Sequence, residues 1–134
     1  MDGPSIREQL TTIAVVLDSL VEQVADLRAQ GGELERAGIC TGVVYWRKDN
    51  GTPKLYVNHP KSKSCPVHGD PPANGRLRVY VGLGREEQER AMAAITRRRQ
   101  KAELETQIAH LEAQRRLIEQ AITAAWYAAR ENRE

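Results

Sequence analysis

The sequence predicts an α+β fold: a long antiparallel helical hairpin of coiled-coil type, with a small three-stranded antiparallel β-meander inserted between its two helices. Three observations lead there. Apolar residues recur in heptad spacing near both ends of the chain, while the middle holds short β-branched and aromatic runs bounded by turn residues. Charge follows the same division. Residues 1–36 carry three basic and seven acidic side chains, residues 37–85 eight and two, and residues 86–134 nine of each, so the excess positive charge sits in the middle.

At 134 residues, with 28% charged residues and no Phe, the chain is expected to form a single unit with a modest core. Such a core gains from a staple or from oligomerisation. Within it we expect an N-terminal heptad helix over 5–30, a basic β-meander over 37–83 and a C-terminal helix over 84–130. The opening Met1-Asp2-Gly3-Pro4 lacks the basic and apolar blocks of a signal peptide, no apolar run is long enough to span a membrane, and the two cysteines are too few for a disulfide framework. These features predict a cytoplasmic protein with no membrane partner.

Ser5-Ile6-Arg7-Glu8 has the form of a capping box and starts the first helix. Ile6, Leu10, Ile13, Leu17, Leu20, Val24 and Leu27 then repeat with spacings 4-3-4-3-4-3, until Gly31-Gly32 is expected to end the helix. Val15, Val16 and Val21 lie off this seam, which implies a second neighbour.

Ile39 to Arg47 reads as the first strand, with Gly42 marking a bulge or a close backbone approach. Lys54 to Asn58 is its hairpin partner across a loop holding Asn50-Gly51, a pair that tolerates the positive φ of tight hairpins. Arg76 to Val81 follows the turn signal Asn74-Gly75 as the third strand. Strand alternation puts Leu77, Val79 and Val81 on one face and Arg76, Arg78 and Tyr80 on the other, and likewise separates Leu55 and Val57 from Lys54 and Tyr56.

Gly82-Leu83-Gly84 reads as a strand-to-helix turn. Glu86 and Glu87 then suit the first turn of a helix whose seam is Leu104, Ile108, Leu111, Arg115, Ile118, Ile122 and Ala125. Met92 and Ile95 sit in another phase, so residues 86–103 are expected to run beside the strands. Antiparallel pairing of the seams would set Leu27 against Leu104 and Leu17 against Arg115. A polar residue at a seam position fixes register or partner number, and a dimer of hairpins is the preferred assembly.

Two clusters carry the functional reading. Arg47, Lys48, Lys54, Lys61, Lys63, Arg76, Arg78 and Arg85, interleaved with Tyr45, Trp46, Tyr56 and Tyr80 and extended by Arg97 and Arg98, suit phosphate neutralisation with stacking. The alternative is an ordinary solvated or protein-binding sheet face. Cys65 and His68 stand in C-x₂-H spacing, and His59 and Cys40 would complete a tetrahedral set of thiolate and imidazole ligands. That pattern is read either as loop residues without a metal or as a structural zinc site. No grouping of Ser, His and Asp, and no carboxylate pair, argues for catalysis.

The order of heptad helix, strand Val43-Val44-Tyr45-Trp46-Arg47, strand Arg78-Val79-Tyr80-Val81-Gly82 and Glu-rich helix resembles small bacterial proteins that occur with mobile genetic elements. Members of that group often carry more cysteines in the hairpin than this chain does. The resemblance implies a DNA-related setting and supplies no catalytic residues. The expected function is therefore that of a non-catalytic accessory protein, homo-oligomeric or part of a larger nucleoprotein complex, whose β module contacts DNA or RNA backbone. The alternative is an adaptor whose coiled coil binds a larger protein.

Overall fold

The computed structural model describes residues 3–60, 65–69, 75 and 77–131. Two helices bracket one antiparallel sheet, in the order α1 (Ile6–Ala37), β1 (Val43–Asp49), β2 (Thr52–His59), β3 (Leu77–Gly82) and α2 (Arg85–Glu131). By internal contacts the chain divides into two compact units, Met1–Gln30 with Leu104–Glu134, and Gly31–Glu103. No described helix is long and apolar enough to cross a membrane.

In the helical unit, Ser5 caps α1 by accepting the Glu8 N–H on its hydroxyl at 3.2 Å. The heptad seam is covered only in its middle. Leu20 and Val24 are buried and Leu17, Leu27, Leu104, Ile108 and Leu111 are half-buried, whereas Ile6, Leu10 and Ile122 are exposed. Gln23, Asp26 and Leu27 of α1 and Thr106, Gln107, His110 and Leu111 of α2 line one groove, so these stretches lie side by side. Arg28 pairs with Glu112 across them. Arg115 is exposed and bonded to Glu119 one turn on, at 2.9 Å.

The expected stop at Gly31-Gly32 is overturned, because α1 runs on to Ala37. Neither glycine takes a positive φ, and a helical glycine costs only about 1 kcal/mol relative to Ala. The actual terminator is Gly38, with φ 106°, whose N–H reaches the carbonyls of Leu34 and Glu35 at 3.2 and 3.1 Å. Ile39, immediately beyond, is buried.

In the second unit the strands pair as β1-β2-β3. Asn50 and Gly51 turn the first hairpin with φ 53° and 80°, as a tight turn of that pair requires. The register sets Tyr45 opposite Tyr56 opposite Tyr80, and Val44 opposite Val57 opposite Val79. An irregularity between Leu55 and Tyr56 places Gly82 opposite Leu55.

Strand alternation then sorts the faces. Leu55, Val57 and His59 are buried on the inner side, while Lys54, Tyr56 and Asn58 are half-buried on the outer side. The core gathers Cys40, Val57, Cys65, Ala94 and Ile95, with Val44, Val79, Val81 and Ala91 against it. Residues 86–103 do run beside the strand module, through Ala91, Ala94 and Ile95.

The first strand starts later than expected. Ile39 and Cys40 leave the sheet and the Cys40 N–H bonds instead to Ala94 O on α2, at 3.2 Å. Gly42 explains the break: a Cβ there would run into Val57 and lie 3.0 Å from His59 Nε2 and 3.1 Å from Asn58 O. The close approach, one of the two readings of this glycine, is what the structure contains.

Candidate metal centre and nucleic-acid interface

Four ligand-type side chains meet in the second unit. Cys40 comes from the segment after α1, His59 from the end of β2, and Cys65 and His68 from one tight turn. That turn is closed by paired backbone bonds between Cys65 and Gly69, at 2.8 and 2.7 Å, and Gly69 takes φ 89°. The four donor atoms lie within 4.8 Å of one another, with Cys40, His59 and Cys65 buried and His68 half-buried.

Four of the six donor–donor spacings come close to those around one tetrahedral cation, and all six lie within 4.8 Å. With zinc bonds of about 2.3 Å to sulfur and 2.0–2.1 Å to nitrogen, S···N edges are about 3.6 Å and the N···N edge about 3.3 Å. Cys40 Sγ lies 3.5 Å from His59 Nε2 and 3.6 Å from His68 Nδ1, Cys65 Sγ lies 3.9 Å from His68 Nδ1, and the two ring nitrogens are 3.0 Å apart.

The surrounding groups orient these donors. His59 Nδ1 is 3.3 Å from Leu77 O, and donating its N–H there leaves Nε2 with a lone pair toward the other ligands. Gly42 N–H donates to Cys40 Sγ at 3.4 Å. Burial pushes the Cys40 thiol up to about 11, against the lowering effects of that N–H and of Arg98. Burial acts the same way on Cys65, but hydrogen bonds from the backbone N–H groups of Thr41, His68 and Val67 and from the His59 side chain together outweigh it and bring this thiol down to about 7. Burial and then the neighbouring His59 lower the His68 pKa. A set of two cysteine and two histidine side chains, three of them buried, is able to hold a metal ion such as zinc.

The outer face of the sheet carries a different chemistry. Tyr45 and Tyr56 stack with centroids 5.5 Å apart and planes at 16°, and Tyr80 continues the row 5.3 Å from Tyr56, tilted by 42°. Arg47 stands opposite Lys54 on one side of the row, and Arg78 opposite Asn58 on the other. Lys54 Nζ lies 5.8 Å from the Tyr80 ring centroid.

The remaining basic candidates go elsewhere. Lys48 alternates to the other face, opposite Pro53, and Trp46 likewise lies on the face of Leu55, apart from the tyrosines. Arg85 begins α2 and bonds to Glu89 at 3.0 Å. Arg97 donates to Gly38 O at 2.6 Å, and Arg98 to the carbonyls of Thr41 and Gly42 at 2.8 and 3.2 Å, so both guanidinium groups brace the segment that holds Cys40. They are expected to extend the basic surface if their helix lies beside the strands, as it does, but their contacts are to the carbonyls of the segment around Cys40. Lys61, Lys63 and Arg76 lie outside the described residues.

Sequence reasoning missed the Thr41 and Val67 backbone groups that address Cys65, since main-chain donors leave no residue-type signal. The alignment of the three tyrosines was within reach, given alternation and the Asn50-Gly51 turn. Comparison of the chain with family models, curated proteins and solved structures gave no match.

Proposed function

We propose that this protein is a non-catalytic nucleic-acid-binding accessory protein whose sheet is held by a structural zinc ion and whose outer sheet face meets the polyanion. The observation that carries the reading is the row Tyr45, Tyr56 and Tyr80 flanked by Arg47, Lys54 and Arg78 on a single face. Cationic side chains beside aromatic rings neutralise phosphate and contact bases or sugars without demanding one sequence. Zinc bound by Cys40, His59, Cys65 and His68 would cross-link the loop, β2 and the 65–69 turn. A four-ligand site leaves no open position for a substrate, which argues for structure over catalysis. The setting of mobile DNA implied by the sequence resemblance agrees with such a role.

Assembly belongs to the same proposal. The seam residues Ile6, Leu10 and Ile122 remain exposed in the single chain, and a coiled-coil dimer would cover them. Sedimentation of the full chain over a concentration series tests this: a dimer supports it and a monomer throughout rejects it.

Binding is tested by fluorescence anisotropy with labelled single-stranded and duplex oligonucleotides over 50–200 mM salt, the order of range in which phosphate contacts show their dependence. Affinity for at least one should fall steeply with salt, and Arg47→Gln, Lys54→Gln and Arg78→Gln should each flatten the slope by roughly 0.7–0.9. Absence of binding to either at 50 mM salt would reject the reading.

A second reading, the protein adaptor, has its own observation. Trp126 and Tyr127 are each 56% exposed near the end of α2, in edge-to-face contact at 5.0 Å, with the Arg130 guanidinium 5.3 Å from the Trp126 ring. These three residue types dominate protein-binding hot spots. If the adaptor reading holds, Trp126→Ala abolishes capture of the partner and leaves nucleic-acid affinity unchanged.

A further inference from the structure

We infer that the outer sheet face takes single-stranded nucleic acid, with Tyr80 as the platform on which a base stacks and with Lys54 and Arg78 neutralising the adjoining phosphates. This rests on the nucleic-acid reading above and narrows its ligand. The argument begins with width. Three antiparallel strands about 4.8 Å apart span roughly 10 Å between the outer backbones alone, and their side chains carry the face beyond the about 12 Å of a B-form major groove, which admits a helix or a two-stranded ribbon. The minor groove is narrower still. A duplex laid on this face would meet the long cationic side chains without bringing its paired bases to the tyrosines, two of which, Tyr45 and Tyr56, are half-buried.

Ring geometry then selects the platform. Tyr45 and Tyr56 lie nearly parallel, at 16°, so each presents a face to the other. Tyr80 breaks the stack by tilting 42° and is 48% exposed, which leaves ring surface on the edge strand for a base. Arg78 precedes it by two residues on the same face, and Lys54 Nζ sits 5.8 Å from its centroid. A strand whose bases are unpaired can turn one onto Tyr80 while its flanking phosphates reach both cations. Every base has a π face, so the site would be tolerant of sequence.

The test uses the full zinc-loaded chain with oligo-dT, oligo-U and a duplex of equal length, in anisotropy titrations at two salt concentrations. One or both single strands should bind at least about tenfold more tightly than the duplex, and the two single-strand arms show whether DNA or RNA is preferred. Tyr80→Leu should weaken single-strand binding about tenfold, in line with the loss of one base–aromatic stack, with the salt slope unchanged. Tyr80→Trp, which keeps an aromatic platform, should retain the affinity, and it guards against reading a folding defect in Tyr80→Leu as a lost stack. Duplex binding equal to single-strand binding, or unchanged affinity in Tyr80→Leu, would overturn the inference while leaving the nucleic-acid reading in place. Failure of all three oligonucleotides to bind would instead remove the nucleic-acid reading itself.

Discussion

The two units of this chain solve the same problem, a shortage of large apolar side chains, in opposite ways. The helical unit repeats a small contribution many times along the seam and, among its described seam residues, buries only Leu20 and Val24. The Gly31–Glu103 unit concentrates its order at one place, where Cys40, His59 and Cys65 are buried together beside Val57, Ala94 and Ile95. A repeated seam tolerates the loss of any one member. A centre built from four donors does not, because a missing ligand leaves the others buried without a partner.

The largest predicted effect therefore falls on the ligands. Cys65→Ser should cost on the order of 5 kcal/mol or more in the Gly31–Glu103 unit, a fraction of what structural zinc supplies to small domains, and circular dichroism should show the strand signal lost while most helix remains. Acid should act in the same direction. Ligands bind metal deprotonated, and in the metal-free protein Cys65 ionises near pH 7 while Cys40 holds its proton up to about 11. Zinc binding at pH 7 should thus release between one and two protons, and affinity should fall as pH drops below 7. Calorimetry in buffers of different ionisation enthalpy measures both, and proton release near zero would contradict the assignment.

Gly42→Ala comes next. Its Cβ would press on Val57 and His59, so a loss of about 1–3 kcal/mol from overpacking should accompany at least about tenfold weaker zinc affinity through displacement of a ligand. A competition titration against a zinc-binding dye reads the second quantity. Unchanged zinc affinity would show that the close approach matters for packing alone.

Arg98→Ala should have a smaller effect, about 1–2 kcal/mol for the bonds to Thr41 O and Gly42 O. It should leave the salt slope of nucleic-acid binding untouched, separating Arg98 from Arg47, Lys54 and Arg78. The smallest effect belongs to the helical unit: Arg28→Ala, which removes the exposed pair with Glu112, should change thermal stability by no more than about 0.5 kcal/mol.

The same contrast governs what could be read from the residues. The heptads were legible because periodicity is a local property, and so were the hairpin at Asn50-Gly51 and the separation of Lys54 and Arg78 from Leu55 and Val79. Gly31-Gly32 misled because a glycine pair lowers helix propensity without demanding a left-handed backbone, and only Gly38 takes one at the helix end. The four candidate ligands were nameable from type and spacing, yet Cys40 lies far from the others in sequence. Its placement depends on Arg97, Arg98 and Ala94 O holding the loop, which are tertiary contacts with no local signature. Arg97 and Arg98 were read as part of the basic surface for that reason: charge composition does not reveal which guanidinium meets a carbonyl.

Both faces of β2 link the two halves of the proposal, since His59 is a candidate ligand on the inner side and Lys54 and Tyr56 belong to the outer row. The most direct measurement is the oligonucleotide affinity of the full chain before zinc removal, after chelation and after zinc is restored. The account predicts strong binding, loss of at least about tenfold, in keeping with disruption of a metal site, and recovery. Undiminished binding by the metal-free protein would contradict it.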